Sequence, residues 1–293
     1  MRTNSSAPRV PTTTPSPLAE FAFLGGQAFT SKLQYLTRLA ENENWYYDSP
    51  NAQNDIQKEI GVLFQYIHHT FARAQDESKI YTTDSNAIFN TGLFTPNGEE
   101  IYALFEKNRN REQKSKAQIW FLVSFYQASS NRIPEDLRGN LPEYVDYFKD
   151  HPEDMYFDTT KKIFINVDHI LEDNFDRLPV DLRAFPLDIL KMLFINADTI
   201  MRRRISRNNR LVVPQYYNKQ IMYLAPLRIS SHTIPLAIEK NQDTYRINTI
   251  FTHGMAYCNA RLLMKPESNW LTNERGVSKL AKPTVVEQST FAP

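Results

Sequence analysis

The sequence predicts an α+β protein, a single domain whose mostly antiparallel sheet is built from hairpins with helices packed against it. Three observations carry that reading. Strand-like runs come in close pairs, 79–83 with 87–93 and 220–229 with 234–239, separated only by short polar turns. Helical runs do not alternate regularly with strands, as βαβ units would require. Near its end, the stretch from Tyr245 to Lys265 reads as a strand that passes straight into a helix. There Ile247, Thr249 and Phe251 alternate with Arg246, Asn248 and Ile250, Thr252 offers an N-cap hydroxyl, and Met255, Cys258 and Leu262 follow at helical spacing.

The 293 residues contain 41% hydrophobic and 12% aromatic residues, enough for a sizeable core. Met1 to Pro17 is rich in Pro, Ser and Thr and is expected to be a disordered tail. The domain is expected over 18–271, with 272–293 a flexible polar tail. A helix is expected from about Thr30 to Asn42. Asp55 to Ala74 gives the clearest helical stripe, Ile56, Ile60, Leu63, Phe64, Ile67 and Phe71, capped by Asn54 or Asp55. Within the strand 87–93, Asn90-Thr91-Gly92 interrupts an apolar run, which marks a bulge or tight turn. Strands are expected again at 101–105 and 119–126, flanking a basic loop, 107–116, that holds Arg109, Arg111 and Lys114. A short strand at 163–167 precedes a helical turn at His169 to Asp173. Leu187 to Ile205 reads as a helix with Leu190, Leu193, Phe194, Ala197 and Met201 inward. Leu211 to Val213, 220–229 and 234–239 read as strands, and Pro226 and Pro235 argue that the last two lie at edges or bulges.

The near-neutral total, +1, hides two segments of opposite sign. Between Glu135 and Asp188 fourteen acids face six bases, a local net of −8. Between Thr199 and Ile238 there are seven bases and no acid. Charges are screened over ~8–10 Å, so the basic segment can act locally.

Four blocks then carry a resemblance. Ile88–Leu93 with Ile101–Asn108, His169–Pro179, Pro214–Ile229 and Ala256–Leu263 (AYCNARLL) stand in the order found in the domain of unknown function 3825 family, which the chain resembles over about 33–271. Cys258 stands where the family pattern has Asn. The resemblance implies a fold and no particular activity.

Several chemistries lack their signature. There is no Gly-rich phosphate loop, no GxSxG and no HExxH. A single cysteine forms no intrachain disulfide and no cysteine-based metal site, and a reducing, cytoplasmic location is the natural expectation. The first residues lack a signal peptide's apolar stretch, and no apolar run reaches the ~20 residues that span a bilayer. No metal or cofactor is expected.

Two functional readings follow. In the first, Arg202, Arg203, Arg204, Arg207 and Arg210, with Tyr216, Tyr217 and Lys219, form a surface that binds RNA, single-stranded DNA or another phosphate ligand. In the second, an enzyme acts on a nucleotide or phosphorylated ligand in a pocket that draws together Asn90, Thr91, Gly92, His253, Asn259 and Arg261. Each group also has a structural reading: arginines stabilise a helix C-terminus, Asn90 closes its own turn, and Arg261 makes an ion pair.

Overall fold

The computed structural model describes residues 16–48, 52–109 and 118–272. The fold is α+β, with two five-stranded, mostly antiparallel sheets. The chain divides into two compact units, Met1–Glu153 and Asp154–Pro293, each holding one sheet. Among the described residues no helix is long and apolar enough to cross a membrane. Within the described set α1 already begins at Pro17, capped by Ser16, and the last helix runs to Thr272. The two tails beyond them and residues 110–117 of the expected basic loop lie outside the described residues.

In the N-terminal unit the sheet order is β1-β5-β4-β3-β2, with β1 Ala22–Phe23, β2 Ile80–Thr82, β3 Asn86–Phe94, β4 Glu100–Lys107 and β5 Trp120–Gln127. Only β1 runs parallel to its neighbour. The helices are α1 Pro17–Phe21, α2 Gln27–Leu39, α3 Asp55–Glu59, α4 Gly61–Asp76 and α5 Glu135–Arg138. The expected helix 55–74 is thus two. Asn54 caps α3, accepting from the Gln57 N–H, but the chain bends at Ile60 and restarts at Gly61. A Cβ on Gly61 would stand 2.8 Å from the Tyr47 carbonyl, so only glycine lets that strap of chain approach. The bend re-phases the stripe. Leu63, Ile67, Phe71 and Ala74 are buried, whereas Ile56 and Phe64 are exposed.

His68 on α4 sits between the Phe29 and Phe64 rings. Its Nδ1 is 2.7 Å from the Ser16 hydroxyl, which also accepts from Ala19 N–H, so the hydroxyl is placed to donate to a neutral imidazole. Burial, with His69 alongside, lowers its pKa to about 4. The unfolded chain takes up a proton near pH 6.5 and the folded chain does not until about pH 4, so stability is lost as pH falls through that window. His68→Gln should remove the His68 share of that slope, roughly 3 kcal/mol, leaving that of His69, whose pKa burial also lowers, measured by denaturant midpoints at pH 7 and pH 4.5. An unchanged slope would assign the pH dependence to other groups.

In the C-terminal unit the order is β6-β10-β9-β8-β7, with β6 Lys162–Ile165, β7 Val213–Tyr217, β8 Gln220–Ile229, β9 His232–Lys240 and β10 Thr244–Ile250. The helices are α6 Val167–Asp173, α7 Val180–Arg183, α8 Leu187–Arg207, α9 His253–Arg261 and α10 Asn269–Thr272. On one face of the sheet, Tyr223, Ala225 and Leu227 of β8 pack with Leu190, Phe194, Ala197, Met201 and Ile205 of α8 in one apolar cluster. Period two meets period 3.6 over that cluster. The strand expected at 211–213 begins only at Val213, after a 3₁₀ turn at Asn209–Leu211.

Pro226 and Pro235 do not mark edges. They face each other in the register of β8 and β9, which are central strands. Both stand where the next strand has run out. The β7 pairing stops at Val213–Leu224, two residues before Pro226. The β10 pairing stops at Ile250–Leu236, beyond which Phe251 N–H donates to the Pro235 carbonyl. A missing proline N–H therefore costs the ladder little. At the far end of β10, a register shift between Ile247 and Thr249 turns Ile250 inward beside Phe251, which simple alternation does not give.

Candidate functional site

The Asn90-Thr91-Gly92 motif is a bulge: Asn90 pairs with Tyr102 and Leu93 with Ile101, leaving Thr91 and Gly92 without partners on β4. Gly92 has φ +69°. Asn90 Oδ1 accepts from Gly92 N–H at 2.9 Å, and its amide nitrogen donates to the Tyr102 hydroxyl and the Pro142 carbonyl, each at 3.3 Å. Thr91 Oγ1 donates to the Ile101 carbonyl at 2.6 Å and accepts from Leu93 N–H, while the Tyr66 hydroxyl donates to the Thr91 carbonyl. Asn90 and Thr91 are 1% and 0% exposed. Their polar atoms are spent inside the N-terminal unit, holding the bulge closed.

His253, Asn259 and Arg261 belong to the C-terminal unit. Thr252 caps α9 as its sequence indicates, accepting from Met255 N–H. His253 Nε2 lies 2.7 Å from the Thr233 carbonyl, an atom that can only accept, so Nε2 carries a proton. Asn259 donates to Gln215 Oε1, and the fully buried Gln215 donates on to the Tyr223 carbonyl. Arg261 is buried in the last turn of α9. Cys258 is buried in the same helix. The His169–Pro179 block is tied to β10: Thr249 donates to Asn174 Oδ1 at 2.7 Å, and Arg177 donates to Thr249 Oγ1 and the Ile250 carbonyl. These polar residues clip the end of α6 to β10, and α9 to β7.

The arginines of α8 divide by role. Arg202 donates through Nε to Asp198 at 2.7 Å and through a guanidinium nitrogen to the Ile163 carbonyl of β6 at 2.6 Å. It is a structural clamp on a 9% exposed carboxylate. Arg202→Ala should lower stability by about 2–3 kcal/mol, because it strands a buried charge. A thermal unfolding midpoint within a degree of wild type would contradict that role.

Arg203, Arg204, Arg207, Arg210 and Arg228 are exposed, and none has an acidic partner among the described residues. Arg204 and Arg228 come together. With Met201, Ile205, Leu211 and Pro226 they line a cleft of about 170 Å³. The cleft occupies the notch where β7 has stopped and β8 runs on, roofed by the end of α8. Arg228 was missed because it stands alone in the sequence, while the run Arg202–Arg210 drew attention to itself. Its signal was the absence of any acid from Thr199 to Ile238.

Tyr216, Tyr217 and Lys219 sit at the other end of the β7–β8 hairpin. Tyr217 pairs with Gln220, eight residues from Arg228 along β8, roughly 26 Å at ~3.3 Å per residue. Tyr216 and Tyr217 are half-buried, and Tyr217 meets the Phe251 ring edge-on. Tyr223 is in the core, its hydroxyl donating to the Asp154 and Tyr156 carbonyls. Asn218 and Lys219 form the tight turn, both at positive φ. The arginines and tyrosines expected to share one surface therefore lie apart: the arginines gather at one end of the hairpin, and Tyr216, Tyr217 and Lys219 at the other. Among the described residues no cluster of His, Cys, Asp and Glu is arranged to hold a metal ion.

Neither the curated proteins nor the solved structures contain a significant match to this chain. A family model matches residues 36–270, well over half of the sequence and all four of the sequence blocks, and the chain belongs to the family described as domain of unknown function 3825.

Proposed function

We propose that the C-terminal unit binds a single-stranded nucleic acid at the end of α8, with the Arg204–Arg228 cleft as the centre of the site. One observation carries the reading: two exposed arginines from a helix and a strand flank an apolar cleft in a segment without acids. An unstacked base presents an apolar face to such a floor, and the phosphates on either side meet guanidinium forks. Arg203, Arg207 and Arg210 extend the positive surface beyond the cleft. A duplex keeps its bases stacked and would use the arginines alone.

Fluorescence anisotropy with labelled single-stranded RNA, single-stranded DNA and duplex DNA of one length, titrated at several salt concentrations, tests this. Single strands should bind more tightly than duplex. Arg204→Ala and Arg228→Ala should each reduce the slope of log affinity against log salt by about 0.7. No binding at low salt, or a slope that neither substitution changes, would refute the proposal.

A further inference from the structure

The solvent face of α8 has an order of its own. Its exposed residues recur at spacings of three and four: Asp188 and Ile189, Met192, Ile195 and Asn196, Thr199 and Ile200, Arg203, and Arg207. That is the spacing of a helix contact surface, yet it lies opposite the face that packs on the sheet. Met192 is 67% exposed, Ile195 59%, Ile200 40% and Ile189 38%. Isolated apolar residues on a surface need no explanation, but four on one helix face form a stripe. The stripe is polar at its ends and the ends differ in sign. An acid, Asp188, stands at the start and a base, Arg203, after the last apolar residue. Neither side chain has a partner among the described residues.

We propose that this face binds a second copy of the chain, with α8 crossing its symmetry mate in antiparallel orientation. A two-fold axis passing between Ile195 and Asn196 brings residue 188 opposite residue 203, residue 192 opposite 199, and residue 195 opposite 196. Each Asp188 then meets an Arg203 of the other copy, while the two Ile195 side chains flank the axis and Met192 comes beside Ile200 of the other copy. A parallel pairing would place Asp188 against Asp188 and Arg203 against Arg203. An isologous contact needs a patch complementary to itself under two-fold rotation, and a stripe that runs acid, apolar, base meets that condition. One helix face is small for a specific interface, so association in the micromolar range is expected. The charge pairs at the rim set orientation more than strength. Arg204 and Arg228, the centre of the proposed nucleic-acid site, are not in this register; Arg203, at the edge of that site, is, so self-association is tested without nucleic acid and through Ile195 and Asp188, which lie outside it.

Sedimentation equilibrium of the full chain across micromolar concentrations, without nucleic acid, is the test. A monomer–dimer equilibrium is expected. Ile195→Glu should weaken it more than tenfold, and Asp188→Arg and Arg203→Asp should each weaken it several-fold. The double variant Asp188→Arg/Arg203→Asp should recover most of the loss, because the charges are exchanged but still opposed. All three positions are exposed, and circular dichroism on each of the four variants should show a native helix content. A monomer at every concentration, a dimer indifferent to Ile195→Glu, or a double variant no better than the singles would overturn the proposal.

Discussion

Gly92→Val should destabilise the protein by about 3–4 kcal/mol, a large share of the ~5–15 kcal/mol available to a folded chain. Three effects add. The residue sits at φ +69°, where a side chain costs ~1–2 kcal/mol and a β-branched one lies at the upper end. A Cβ there would stand 2.8 Å from the Tyr66 hydroxyl. That hydroxyl cannot step aside freely, because it donates to the Thr91 carbonyl, a buried acceptor that would be left unsatisfied at ~1–3 kcal/mol. Gly98 supplies the control. It has φ +81° but nothing within 4 Å of a Cβ, so Gly98→Ala should carry the backbone term alone, about 1 kcal/mol. Urea midpoints for the two variants separate the effects. Equal losses would mean that the Tyr66 contact contributes nothing and that the bulge is held by backbone conformation only.

The same bulge shows what could be read in advance. Asn-Thr-Gly inside an apolar strand announces an irregularity, because local chemistry alone makes it one. The limits of β8 and the Thr252 cap were legible for the same reason. The break at Ile60–Gly61 was not. The apolar period runs unbroken across it, and its cause, the Tyr47 carbonyl, comes from a different part of the chain. The prolines of β8 and β9 misled in a similar way, since whether a strand's neighbour has already ended is a property of the sheet. The hydrogen bond between Gln215 and Asn259 joins residues far apart in sequence, with nothing local to point to it. By contrast, the Arg202–Asp198 clamp was readable as an acid four residues before a base on a helix. A run of like residues concealed that one of them was already committed.

That division of the arginines yields the sharpest expectation for binding. Arg204→Glu with Arg228→Glu should weaken single-strand affinity by about 100-fold at low salt, equivalent to ~2.7 kcal/mol. Each substitution removes a charge-assisted contact and adds a like charge facing the phosphates. Both positions are exposed and lack partners among the described residues, so the unfolding midpoint should hardly move. Arg202→Ala, only two residues from Arg204, should do the reverse, lowering the midpoint while folded molecules bind within about twofold of wild type. Lys219→Glu, at the tip of the hairpin, tests how far the surface reaches. If the strand is held at the notch, this change should cost less than about threefold, since a charge beyond ~8–10 Å is largely screened. A loss as large as that of the double reversal would mean that the strand lies along the whole hairpin, across Tyr216 and Tyr217. An unchanged affinity for the double reversal would remove the notch from the binding site altogether.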